Sequence, residues 1–181
     1  MLNYNKSLTN EKFFQDLQMK EICPIMKLII RGKKREFISA VGKSLNLLLP
    51  TEANTSSQGD RLTALWLSPD EWMLFSNRSI NATTNYYETE ELLYKNIHKL
   101  NVGAVIDVTD QFVMINLKGS KIFELFQTGS PFNFNFFQHK KGATTQTILG
   151  KIDVIIHNQD KNDINLFVRR SFSQHLFSWM N

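Results

Sequence analysis

One cysteine, four prolines and eight glycines stand among the 181 residues, and each scarcity removes a class of protein. A single thiol, Cys23, can form neither an internal disulfide nor a cysteine cage for a metal. The glycines, at 32, 42, 59, 103, 119, 129, 142 and 150, never assemble into Gly-x-Gly-x-x-Gly or a Walker loop. The usual backbone nests for dinucleotides and nucleoside triphosphates are therefore missing. No Gly-x-Ser-x-Gly elbow presents a hydrolase nucleophile. His98, His139, His157 and His175 fall in separate elements without metal-ligand spacing, and surface or capping roles are expected for them. No apolar run approaches the ~20 residues of a spanning helix, and the first residues hold no signal-peptide core. A cytoplasmic protein without a membrane partner is the expectation.

Charge of one sign is also in short supply. The net charge is +4, with basic residues clustered only briefly at Arg31–Arg35, Lys140–Lys141 and Arg169–Arg170. A nucleic-acid groove needs a denser stripe with stacking aromatics, so no nucleic-acid partner is expected. An RNA-binding module would show affinity falling steeply with salt.

What the chain does have is core material: 42% apolar residues, including 14 Phe, 4 Tyr and 3 Trp. That supports one globular domain or a fused pair of small units. Residues 1–24 are polar in balance, with one amphipathic fragment at Phe13, Phe14 and Leu17, and read as an N-terminal arm that wraps a partner or frays. Ile25–Ile30 reads as a strand closed by Gly32. Phe37, Ile38, Val41, Leu45 and Leu48 recur at helical spacing before Pro50. Thr51–Asp60 reads as a polar loop.

Leu62–Leu67 and Trp72–Phe75 flank Ser68-Pro69-Asp70-Glu71 as a β-hairpin. The polar stretch Ser76–Asn85 leads to a helix near Tyr86–Leu100. Strands follow at Val105–Val108 and Phe112–Leu117, then a short helix carrying Ile122, Phe123, Leu125 and Phe126. Three more strands, Thr145–Leu149, Asp153–His157 and Leu166–Arg169, precede a helix at Ser171–Trp179. Lys27–Leu49 and Met114–Phe134 echo one another as strand, Gly, basic residue and helix, each followed by adjacent strands. The fold class is α+β: two βαββ-like halves, 25–102 and 103–181, with antiparallel sheets and helices on one face.

Chemistry-bearing groups are few. Asp70-Glu71 and Asp107 with Asp110 could share acid and base roles, but adjacent strand residues point to opposite faces, and turn chemistry accounts for them. Trp66 and Trp72 read either as hairpin core or as an aromatic wall for a partner. The pair Arg169-Arg170 marks the last strand–helix junction, where arginines are either solvated or at an interface.

Four segments in order carry a family likeness: Leu65-Trp66-Leu67-Ser68-Pro69-Asp70-Glu71-Trp72-Met73-Leu74, Gly103–Asp110, Gln146-Thr147-Ile148-Leu149-Gly150 and Val168–Trp179. In these the chain resembles the gamma subunit of heterotetrameric sarcosine oxidase, from about Ile25 to Asn181. Departures are local: Gly119-Ser120 stands where the family has Gly-Pro, a family Cys falls near Ser130 and an Asp near Asn133, and Thr145 or Thr144 stands where the family has a Cys before the Gln-Thr pair.

The resemblance implies a fold similar to the folate-dependent aminomethyltransferases. It implies a non-catalytic subunit of an oxidoreductase that demethylates sarcosine to glycine, forms hydrogen peroxide and passes the one-carbon unit to tetrahydrofolate. It further implies that FAD, FMN, NAD and tetrahydrofolate sit on other subunits, and that the partners are the alpha, beta and delta chains, chiefly alpha. No catalytic, cofactor-binding or metal residue is assigned to this chain. The partner interface is expected at Pro69, Asp70, Glu71 and Trp72 and at Arg169, Arg170 and Phe172. The alternative is a stand-alone folate-binding protein of one-carbon metabolism, since Lys141-Gly142 followed by Gln146 is similar to a Lys-Gly-Cys…Gly-Gln-Glu run of folate-binding relatives.

Overall fold

The computed structural model describes residues 6–8, 11–78, 87–101 and 103–180. Most of the expected stretch Ser76–Asn85 and the start of the helix at Tyr86 lie outside them. Backbone contacts group the chain into two units, Pro24–Thr109 and Met1–Cys23 together with Asp110–Asn181.

The chain opens with strands β1 (Lys12–Phe14) and β2 (Leu17–Glu21) of the second unit. The first unit then runs β3 (Lys27–Arg31), α1 (Arg35–Leu45), β4 (Ser56–Gln58), β5 (Leu62–Ser68), β6 (Glu71–Ser76), α2 (Tyr87–Leu100) and β7 (Ala104–Asp107). Its antiparallel sheet has the order β4-β5-β6-β3-β7. Alternation sends Leu28 and Ile30 of β3, and Trp72 and Leu74 of β6, to one face. There they form a core with Phe37 and Val41 of α1 and Leu93 and Ile97 of α2. The i, i+4 spacing of each helical pair is what lets two short helices cover one sheet face.

Two boundaries differ from the sequence reading. Helix α1 stops at Leu45 because Asn46 adopts the left-handed conformation (φ 49) that ends helices, which leaves Leu48 83% exposed in the following segment. The expected loop Thr51–Asp60 contains β4, which pairs Ser56 with Leu65 and Gln58 with Thr63. An edge strand of Ser and Gln has no apolar alternation to betray it.

The second unit continues with β8 (Phe112–Lys118), α3 (Ile122–Gln127), a 3-10 turn at Phe137–His139, β9 (Thr144–Leu149), β10 (Ile152–Asp160), β11 (Asp163–Arg169) and α4 (Arg170–Trp179). Its six strands are ordered β1-β2-β8-β11-β10-β9. Val113, Ile115 and Leu117 of β8 face the helices together with Leu166 and Val168 of β11 and Val154 and Ile156 of β10. Phe123, Phe126, Phe134 and Phe137 complete this core as a group of tilted and edge-to-face rings.

The stretch read as an arm contributes strands. Met19 is fully buried opposite Leu117, and the buried Glu21 accepts a hydrogen bond from the Leu8 N–H at 2.8 Å. Only Met19 of β2 is a fully buried apolar side chain, so a strand with one inward anchor looked polar in sequence.

The echo between the halves is structural. Each unit runs strand, helix, three strands, helix, one strand more than the βαββ pattern. In each sheet the first strand of the run lies beside the last: β3 beside β6, and β8 beside β11. The next position is filled by β7 in one sheet and by β2, from the start of the chain, in the other. The contact boundary therefore falls after Thr109 rather than at the expected 102/103.

Candidate partner interface

The hairpin tip belongs to the first unit. Ser68 Oγ donates to Asp70 Oδ1 at 2.9 Å, and the Gly32 N–H donates to the Asp70 carbonyl at 3.0 Å. Arg31 and Lys33 lie 3.8 and 3.7 Å from the Asp70 carboxylate, and Arg31 lies 3.9 Å from Glu71. The Ser68 hydrogen bond, with the two cations behind it, holds the Asp70 carboxyl below the usual carboxylate range. Long, exposed ion pairs of this kind contribute little to stability. They place two cations beside two carboxylates next to the exposed Pro69.

Trp72 does not belong to that surface. It is 1% exposed, stacks on Phe37 and donates from Nε1 to the Pro50 carbonyl at 2.7 Å. The alternation that brings Glu71 outward turns Trp72 into the helix-covered face. Trp66 is its cross-strand partner and packs on the same core.

The strand–helix junction lies in the second unit and splits in the same way. Arg170, the first residue of α4, is committed internally: Nε donates to the Asp110 carbonyl at 2.8 Å and a terminal nitrogen to Ser7 Oγ at 2.7 Å. Its backbone N–H donates to the Gln111 carbonyl at 2.8 Å. Arg169 is exposed, and among the described residues its side chain makes no hydrogen bond or ion pair. Phe172 is 48% exposed.

The sheet face of the second unit away from its helices carries a polar network that sequence reading missed. Asn116 Nδ2 donates to Asp163 Oδ1 at 2.7 Å and to Asn165 Oδ1 at 3.0 Å, and Lys118 Nζ pairs with Asp163 at 3.1 Å. His157 Nδ1 lies 3.5 Å from Asn165 Nδ2. His157 is buried, against the surface or capping role expected, and burial pushes its pKa down to about 4 despite the opposing charge of Asp163. Part of the signal was in the sequence, where Asn116 and Asn165 each interrupt an apolar strand at one residue; only the antiparallel register of the fold sets them opposite each other. His139 and His175 are exposed, and the His98 side chain lies outside the described residues.

Among the described residues no group of three His, Cys, Asp or Glu side chains converges as a metal site. The folate-like run is dispersed. Lys141 Nζ is paired with Asp160 Oδ2 at 2.6 Å in the turn before β9. Gln146 instead lines an open groove of about 470 Å³ with Phe112, Ile148, Asp153, Ile155 and Arg169.

These features define a class, a protein of two α+β units, each built on one antiparallel sheet, with a buried Asn–His polar network on the sheet of the second. The fold is similar to that of heterotetrameric sarcosine oxidase from Corynebacterium sp. U-96 in complex with pyrrole 2-carboxylate, with a TM-score of 0.79 and 18% identity over 91% of this chain and 81% of that one. It is also similar to the glycine cleavage system aminomethyltransferase T from Bartonella henselae, with a TM-score of 0.65 and 13% identity over 91% of this chain and 45% of the other. Identities this low establish the fold alone. No curated protein matches the sequence. Residues 31–181 match the model of the sarcosine oxidase, gamma subunit family, and the chain belongs to that family.

Proposed function

We propose that this chain is the gamma subunit of a cytoplasmic heterotetrameric sarcosine oxidase and acts in assembly, with the chemistry on other subunits. The family match over residues 31–181 carries the reading. The reaction oxidises sarcosine at its N-methyl group, reduces oxygen to hydrogen peroxide, and releases glycine with the one-carbon unit passing to tetrahydrofolate. FAD, FMN, NAD and tetrahydrofolate belong to the partners, the alpha, beta and delta subunits, and alpha is the main contact. Pro69, Asp70 and Glu71 at the hairpin tip and Arg169 and Phe172 at the junction are the interface residues of this chain. Trp72 and Arg170 support them from within their units.

Co-expression with candidate alpha, beta and delta chains, followed by pull-down on a tag carried here, tests the reading. The expected eluate is a yellow, flavin-bearing complex that consumes oxygen on sarcosine. A colourless chain that ignores the partners and binds a reduced folate saturably at micromolar concentration would overturn it in favour of a stand-alone folate-binding protein.

A further inference from the structure

The echo between the units extends past their first helices. α1 leads into Leu47-Leu48-Leu49-Pro50 and α3 into the phenylalanine-rich segment from Pro131 to Phe137, each an apolar run between that helix and the next strand. In each run one side chain stands out of the protein between two that are buried. Leu48 is 83% exposed between the buried Leu47 and Leu49, and Phe136 is 87% exposed between the buried Phe134 and Phe137. Among the described residues no other large apolar side chain is as exposed as these two.

Fixed backbone holds both side chains out. In the first unit Leu47 and Leu49 enter the core, the Ser57 hydroxyl donates to the Leu48 carbonyl, and Trp72 ties down the Pro50 carbonyl. In the second unit Phe134 and Phe137 enter the aromatic core, and the Gln138 N–H donates to the Phe134 carbonyl at 2.9 Å. The buried Asn158 donates from Nδ2 to the Phe137 carbonyl at 2.7 Å and to the Lys140 carbonyl at 3.1 Å. Scattered exposed apolar residues are ordinary and need no explanation. Here two occupy matching places in the two units, each pinned between core residues, and a side chain so presented loses little further freedom on binding. Residues 44–51 and 127–138 hold no Asp, Glu, Lys or Arg, so neither side chain has a charged neighbour within its own segment. Interface centres are depleted of charge in the same way.

We infer that Leu48 and Phe136 are equivalent anchors, one in each unit, and that each enters an uncharged apolar pocket on a partner subunit. The neutral segments match a pocket of that kind and offer nothing to an acidic or phosphorylated one. The inference rests on the subunit reading and adds one contact in each unit to those at the hairpin tip and the strand–helix junction.

Competition during assembly tests it. The full parent chain and a variant, carrying different tags, are co-expressed with the alpha, beta and delta subunits, and the ratio of the two in the partner-bound fraction is measured. Leu48→Gln and Phe136→Gln each enter the complex about tenfold less than the parent. Their unfolding curves match the parent's, because neither side chain is buried in the free chain. Leu48→Met and Phe136→Leu keep an apolar anchor and enter within about twofold of the parent. Incorporation of both Gln variants at the parent's level overturns the inference and leaves the subunit reading standing. A deficit at only one of the two positions breaks the equivalence between the units and overturns the inference too. Failure of the parent to join any subunit overturns both the inference and the subunit reading. Self-association of the parent that the Gln variants lose, with incorporation unchanged, assigns the anchors to a second copy and overturns the inference as well.

Discussion

Trp72 and Phe37 stack with ring centroids 6.0 Å apart and planes inclined by 27°, joining the hairpin to α1 inside the first unit. The indole N–H is satisfied by the Pro50 carbonyl, so the largest side chain of the hairpin is tied at both its ring and its polar edge. Trp72→Ala is expected to cost about 3–5 kcal/mol, and Trp72→Phe less, because it keeps the ring contact and loses the hydrogen bond. Urea unfolding measures both. An interface role instead would weaken partner capture while leaving the unfolding midpoint in place.

Gly119 has φ 138, and a Cβ there would overlap the Asp16 carbonyl in the β1–β2 turn. The Gly119 N–H also donates to the Asn162 carbonyl at 3.0 Å, so the backbone is held from a second side and cannot easily shift. Gly119→Ala combines backbone strain with a backbone clash and is expected to destabilise the second unit by about 2 kcal/mol or more. A thermal midpoint unchanged from the parent would contradict this packing.

Met19 tests whether the first residues belong to the sheet. Its full burial opposite Leu117 predicts a loss of about 2–5 kcal/mol for Met19→Ala. A fraying arm would show no change in urea unfolding.

Burial keeps His157 neutral in the folded chain, with its pKa lowered from 6.5 to about 4. Below pH 6.5 the unfolded chain binds a proton that the folded chain does not. The stability is therefore fully present above pH 6.5 and falls as the pH drops toward 4, by roughly 1.4 kcal/mol per unit. Urea titrations at pH 7, 6 and 5 should show that slope, and His157→Gln should flatten it. An equal slope in the variant would place the proton uptake elsewhere.

The hairpin was legible because Pro69 and Asp70 announce a turn between two apolar runs, and the helices because Phe37, Val41, Leu93 and Ile97 recur at 3.6-residue spacing. β1, β2 and β4 were not, because strands near a sheet edge need few buried side chains and Ser56–Gln58 has none that is apolar. Arg169 and Arg170 are alike in sequence. Only the chain reversal into α4 shows that one faces solvent and the other binds Asp110 and Ser7. The Asn116–Asn165–His157 network depends on register across three strands, which local pattern does not carry.

The most direct measurement of the central claim is the native mass of this chain co-expressed with candidate alpha, beta and delta subunits, recorded with its visible absorbance. The account predicts one copy of each chain in a single flavin-containing particle, with oxygen consumption on sarcosine. A stable, active alpha–beta–delta particle that forms equally well without this chain and does not bind it when added would contradict that claim.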